Sequence, residues 1–218
     1  MDVKICGVKN SKTLSYIVNH QNPPKFIGFI CNYPKSKRNL SFAELSRLLK
    51  IKKNSFIKYV SVLVNPTSKT LNKINQLNFD YLQLYDVNPK KTLDIKKRFK
   101  VKIITAITVR NLKDVMLYKK YTNISDIILF DGKGYEKSLG FKHSMIKNVP
   151  KNITVMLAGN IKYDDKLNKF NKITDIIDLS GNLETNGEKD ILKINILLKN
   201  LKNLKNETKK KNTPYRST

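Results

Sequence analysis

The chain has 218 residues, is 40% hydrophobic, and carries 43 Lys and Arg against 17 Asp and Glu, a formal net charge of +26. That length suits one large domain with a sizeable core. No stretch approaches the roughly 18 apolar residues of a membrane span, the opening MDVKICGVKN lacks the pattern of a secretion signal, and two cysteines without a CxxC give no disulfide framework or zinc site. These features predict a cytoplasmic protein with reduced thiols, no metal and no membrane partner. The charge invites a nucleic-acid partner through phosphate contacts. Only five of the basic residues are Arg, however, and the lysines are scattered beside abundant Asn and Ile. A solvated Lys-rich surface, with no specific nucleic-acid partner, is the expectation.

In chain order, short apolar or β-branched runs alternate with helical patterns. VKIC (3–6) precedes a polar helix at 11–20, and FIGFI (26–30) leads through CNYPKSKRNL to a helix at 41–50, where Ser41 and Glu44 form a capping box. Strand 57–64 precedes helix 67–77; strand 79–85 precedes helix 89–99, with Pro89 at its start; strand 101–107 precedes helix 110–121. DIILF (126–130) ends at Asp131, followed by the loop GKGYEKSLG and a weak helix near 141–148. ITVMLA (153–158) ends at Gly159 before a helix at 163–170, and DIIDL (175–179) ends at Ser180-Gly181 before a last helix at 188–202. Eight strand–helix units predict parallel pairing and a single (β/α)8 barrel over 1–204. A doubly wound open sheet is the competing architecture, but CGVKNS lacks the GxGxxG of its first turn. The polar, basic stretch 205–218 is expected to be a disordered tail.

In such a barrel the active site lies at the C-terminal strand ends. Those ends carry Cys6, Gln83, Asp131, Gly159, Ser180 and Gly181, and the second strand runs toward Arg38. The loops after strands seven and eight, LAGN and LSGN, are small enough for backbone N–H groups to approach a phosphate. A thiolate and a carboxylic acid around one mouth suit proton shuttling on a phosphorylated sugar. Taken singly, each has a structural alternative. Cys6 could be a packing residue and Asp131 a turn residue in DGKG. Cys31 reads as packing, and His20 and His143, outside any triad or metal spacing, as surface or helix residues.

VKICG, IGFICNYPKSKRNLS, DYLQLYD, IILFD, VMLAGNI and IIDLSGNLETNGEKD together resemble the phosphoribosylanthranilate isomerase family from end to end. The resemblance implies a TIM barrel in tryptophan biosynthesis, needing neither cofactor nor metal. Its substrate would be N-(5-phosphoribosyl)anthranilate, rearranged to 1-(2-carboxyphenylamino)-1-deoxyribulose 5-phosphate. Carried over, Cys6 falls on the general base, Asp131 on the general acid, Arg38 on the arginine that meets the anthranilate carboxylate, and Gly159, Ser180 and Gly181 on the phosphate loops. The chain departs from the family where its His-Gly is Tyr85-Asp86, where its strand-five lysine falls at Thr105, and in the shortened loop after Asp131. Two alternatives remain: another phosphosugar isomerase or lyase, which needs no Cys at the first strand end, and a basic RNA-binding protein reusing the barrel. Oligomeric state is not legible in the sequence.

Overall fold

The computed structural model describes the backbone of residues 1–132 and 140–212 and the side chains of the last helix as far as Glu207. Eight parallel strands form a closed barrel: β1 (Asp2–Cys6), β2 (Phe26–Cys31), β3 (Lys58–Val64), β4 (Tyr81–Tyr85), β5 (Lys102–Val109), β6 (Ile127–Gly132), β7 (Val155–Leu157) and β8 (Ile176–Leu179). Each pairs with its sequence neighbour, and β8 returns to β1 with Lys4 directly opposite Asp178. A two-residue strand at Asn39–Leu40 extends β2. Among the described residues, no helix is long and apolar enough to cross a membrane.

Side chains alternate across each strand, so every second residue faces the barrel interior. Cys6, Phe26, Val60, Val62, Tyr85, Ile104, Ala106, Leu129, Met156 and Ile176 pack into that inner core. The intervening residues form the larger outer core beneath the helices. Thr105 belongs to the outer set: its hydroxyl lies 2.6 Å from Ser125 Oγ, so it does not stand where a strand-five site residue would. The inner positions of β5 are Ile104 and Ala106.

At the N-terminal face one device recurs. Asp80, Asp126 and Asp175 each stand just before a strand, and each accepts an N–H from the start of the preceding strand at 2.8 Å, from Tyr59, Ile103 and Val155. These carboxylates satisfy strand-end donors that would otherwise lack a ladder partner. Lys53 and Lys96 then neutralise two of them.

Four helices form as their caps dictate: α1 (Ser11–Val18), α2 (Phe42–Leu48), α3 (Ser68–Asn75) and α4 (Pro89–Phe99). The Ser41–Glu44 capping box is present, and Asn88 caps α4 ahead of Pro89. The later connections are shorter than their patterns suggest. Helix α5 covers only Leu112–Val115 and passes into a 3-10 segment at Met116–Lys120; 3-10 turns at His143–Ile146 and Leu167–Phe170 stand where longer helices were expected. The buried pairs Val115/Tyr118 and Leu167/Phe170 are three residues apart, and one tight turn suffices to bury such a pair. The last helix, α6 (Ile191–Asn212), begins later and runs past the boundary expected at 204. Leu204 is buried and Lys205 reaches Asp2 and the Phe56 ring, which anchors the backbone where a free tail was expected. Residues 213–218 lie outside the described residues.

One inner pair is charged. Lys4 Nζ donates to Asp178 Oδ2 at 2.9 Å, with the lysine fully buried. Removing one partner of a buried pair strands the other charge, at about 3–5 kcal/mol. Lys4→Met is therefore expected to lower the unfolding free energy by about that amount, and the double variant Lys4→Met/Asp178→Leu to regain much of it. Urea titration of the three proteins checks this. Equal losses in the single and double variants would show that the charges are not coupled.

Candidate active site

The C-terminal ends of the strands enclose a cavity of about 350 Å³. All seven residues singled out from the sequence line it: Cys6, Arg38, Gln83, Asp131, Gly159, Ser180 and Gly181. Tyr85 and Asp178 line it as well.

Cys6 ends β1 and is 6% exposed. Its sulfur lies against the Lys4 ammonium, and glycine at position 28 makes that possible: a Cβ there would fall 3.0 Å from both Cys6 Sγ and Lys4 Nζ. Burial raises the Cys6 thiol above its ordinary value, and Asp178 adds to the rise; Lys4 and Lys189 oppose it without cancelling it. Lys4 is itself raised: burial alone would lower it, but Asp178 and Cys6 outweigh the desolvation.

Asp131 ends the inward face of β6. Burial raises its carboxyl to about 7, although hydrogen bonds from Tyr85 and Gly132 and the charge of Lys4 favour the ionised form. Tyr85 Oη donates to Asp131 Oδ2 at 2.9 Å and accepts from Gln83 Nε2 at 3.3 Å. Two acceptors in this wall, Gln83 Oε1 and Asp178 Oδ1, are buried without a partner among the described residues.

Arg38 closes one side, held by Glu184 in a bidentate pair at 2.6 and 2.7 Å. Glu184 also pairs with the buried Lys189. Both acid and lysine come from a small hairpin, Glu184–Thr185 against Glu188–Lys189, turned by Asn186 (φ 52°) and Gly187 (φ 80°). Asn-Gly flanked by pairing residues is the signature of such a turn; the tetrad ETNG carries that signal, but the last helix was expected to begin at 188. Gly7 turns the chain beside Arg38 with φ 75°, and a Cβ there would collide with Arg38 Cδ.

The two small loops complete the mouth, with Gly181 beside Arg38: a Cβ on Gly181 would stand 3.2 Å from Arg38 Nη2. Gly159 and Asn160 both adopt left-handed backbone, φ 90° and 53°. Ser180 Oγ donates to the Cys6 carbonyl at 3.1 Å, tying the second loop to the end of β1. His143, read as a surface or helix residue, opens a 3-10 turn and is half-buried among Phe141 and Phe170, and its Nε2 lies 2.9 Å from the Gly159 carbonyl. His20 is likewise half-buried, 3.2 Å from Asn195. Cys31 is outside the cavity, 3.0 Å from Ser61 Oγ and pushed up by burial to about 12, as fits packing. The shortened loop after Asp131 falls largely on 133–139, outside the described residues.

Because folding raises the Asp131 carboxyl from the ordinary carboxylate range to about 7, the folded chain holds a proton that the unfolded chain has released. Stability is therefore lost as pH rises from about 4 to 7, and the full cost is present above that window. Asp131→Asn keeps an acceptor for Tyr85 and removes the cost, so Tm at pH 8 is expected to rise by roughly 5 °C. The gain should shrink steadily toward pH 4; calorimetry across that range checks it, and a gain independent of pH would mean that Asp131 titrates normally.

The family model described as N-(5′-phosphoribosyl)anthranilate isomerase matches residues 3–200. The isomerase of that name from Listeria innocua serovar 6a is 32% identical over 215 residues, spanning 93% of this chain and 98% of the relative. Its counterpart from Staphylococcus haemolyticus is 29% identical over 220 residues, spanning 93% of this chain and 99% of the relative. Among solved structures, phosphoribosyl anthranilate isomerase from Thermotoga maritima superposes with a TM-score of 0.81 at 26% identity, covering 93% of this chain and 99% of that one. A crystal structure of such an enzyme in complex with reduced 1-(o-carboxyphenylamino)-1-deoxyribulose 5-phosphate superposes at 0.79 and 25% identity, with the same coverage.

Proposed function

The chain belongs to the N-(5′-phosphoribosyl)anthranilate isomerase family and is an isomerase of tryptophan biosynthesis; from that premise we propose that Asp131 is the acid and Cys6 the base of its reaction. The observation that carries this assignment is their common cavity: both end inward-facing strands and both line the same space of about 350 Å³.

Asp131, raised to about 7, holds a proton near neutrality. It delivers that proton to the furanose ring oxygen, the bond from that oxygen to C1′ breaks, and the anilino nitrogen supplies the electron pair that forms the Schiff base. Cys6, as thiolate, then takes the C2′ proton, and the electron pair released closes the enolamine. Tautomerisation moves a proton from the C2′ hydroxyl to C1′ and yields the aminoketose. Atoms and electrons balance without an outside oxidant or reductant. Asp131 has lost one proton and Cys6 has gained one, so exchange with solvent resets the pair. Lys4 favours the thiolate at the moment it is needed, since it is the positive charge in contact with the sulfur.

Binding follows from the walls. Arg38 spends two of its five N–H donors on Glu184, and the others serve the anthranilate carboxylate. The phosphate sits between the Gly159–Asn160 turn and Ser180–Gly181. His143 supports this seat. His143 bonds the Gly159 carbonyl and so fixes the plane of the Gly159–Asn160 peptide. Gln83 Oε1 and Asp178 Oδ1 are the acceptors for the sugar hydroxyls.

Loss of phosphoribosylanthranilate fluorescence with purified protein tests the reaction. Cys6→Ser and Asp131→Asn are each expected to lower kcat by on the order of 10²-fold or more, with KM little changed. Near-full turnover in either variant would remove that residue from the mechanism. Gly181→Val should instead raise KM, because its side chain enters the phosphate seat; a Cβ there already stands 3.2 Å from Arg38 Nη2. An unchanged KM in folded protein would move the phosphate elsewhere.

A further inference from the structure

The sequence resemblance marked position 85 as a departure, tyrosine where the family carries histidine, and the tyrosine lies in direct contact with the proposed acid. A phenol has one proton to donate and lone pairs to accept. Here the proton goes to Asp131 Oδ2 at 2.9 Å, and Gln83 Nε2 donates to the phenol oxygen at 3.3 Å. With Gln83 Nε2 donating to one lone pair, the phenol keeps its own proton for Asp131 Oδ2. Tyr85 keeps its proton throughout the working range: burial, and then the facing Asp131 charge, hold it well above the ordinary tyrosine value.

A protonated carboxyl group carries its hydrogen on one oxygen only. Oδ2 is engaged as an acceptor from Tyr85, and the Gly132 N–H also donates to the carboxyl group. Oδ1 faces the Gly159 turn, 3.6 Å from where a Cβ on Gly159 would stand, and both residues line the cavity. We propose that Tyr85, held by Gln83, is a positioning residue that keeps Asp131 Oδ2 an acceptor and so leaves Oδ1 to carry and deliver the proton. The proposal rests on Asp131 being the acid.

The relay acts twice in the step. Before transfer it selects the oxygen that bears the proton. During transfer the Oδ1–H bond breaks, the proton passes to the ring oxygen, and negative charge spreads onto Oδ2. The hydrogen bond from Tyr85 strengthens as that charge develops, which is stabilisation gained in the transition state rather than the ground state. Among the described residues, the other charged or titratable groups around the carboxyl are Lys4 and Cys6 on β1, Asp178 on β8, and, further out, Arg38 and Lys189. The inward residues of β5 and β7, among them Ile104, Ala106, Met156 and Ala158, contribute no charge.

Carbon-13 NMR titration of the Asp131 carboxyl, assigned by its loss in Asp131→Asn, tests this directly. Tyr85→Phe removes the donor and leaves the ring, so the carboxyl midpoint is expected to rise by about one pH unit, the size of one hydrogen bond to a charged group. kcat/KM at pH 6, where the carboxyl is protonated in both proteins, should fall about tenfold from the lost selection of Oδ1. Tyr85→His restores a donor and should return both values toward those of the parent. The Tm of each variant confirms that it is folded. A midpoint unmoved in Tyr85→Phe, or a histidine that restores neither value, would overturn the relay. An active Asp131→Asn would instead overturn the acid assignment, whatever Tyr85 does.

Discussion

The barrel closes on a buried ion pair. Lys4 and Asp178 stand opposite one another on the first and last strands, 174 residues apart in sequence, and meet at 2.9 Å inside the barrel. The pair restrains register. Sliding β1 against β8 by one residue would send one charge into the outer apolar core, where it would have no partner. It also furnishes the site, because the same ammonium touches the Cys6 sulfur and the same carboxylate keeps a free oxygen in the cavity wall. Gly28 belongs to this constraint, since any larger residue would press on both the ammonium and the sulfur. A single cross-strand contact thus links topological closure to the chemistry at the strand ends.

Burial acts on both reactive groups in the same direction, and this shapes the chemistry. It raises the Cys6 thiol and raises Asp131 to about 7. On the assignment proposed above Cys6 must lose a proton and Asp131 must keep one, yet burial leaves the carboxyl the first of the two to ionise as pH rises. A thiolate beside a protonated carboxyl is therefore a minority form, and the two groups titrate as a coupled pair rather than singly. Lys4 and Lys189 work against the thiol's rise, and Tyr85 against the carboxyl's. Each reactive group thus has a neighbour that tempers what burial alone would do. Lys4, Lys189 and Tyr85 are all buried, so the compensation is built into the fold.

The barrel was legible because parallel strands covered on both faces read as short apolar runs, and because the Ser41–Glu44 box and Asn88-Pro89 mark helix starts locally. The positions of Cys6 and Asp131 were legible as strand ends. Lys4 and Asp178 carried a signal that went unread: a charge inside VKIC and another inside IIDL, in runs otherwise apolar, must either face a cavity or find each other. Their pairing depends on register between the first and last strands, which no local pattern encodes. Thr105 was misplaced for a related reason. A shift of one residue along β5 exchanges the inner and outer faces, and Ile103, Ile104, Ala106 and Ile107 suit either. The short 3-10 connections and the role of His143 arise from packing against the barrel, so sequence spacing alone could not separate them from longer helices.

The Glu184–Lys189 hairpin shows how the mouth is charged without becoming a trap. Arg38 and Lys189 bring two positive charges and Glu184 one negative, while Lys4 and Asp178 cancel. A bare Arg38 would be free to fold over the cavity; the bidentate grip of Glu184 fixes the guanidinium plane and leaves an edge for a second carboxylate. Lys189 makes that second carboxylate electrostatically welcome, because it restores the positive charge that Glu184 neutralises. It is buried to 7% exposure, so the charge is screened less by salt than that of the surface lysines. The large positive charge of the chain is thus largely separable from its chemistry: most lysines lie outside the cavity, and the few that act do so from buried positions fixed by carboxylates within hydrogen-bond reach.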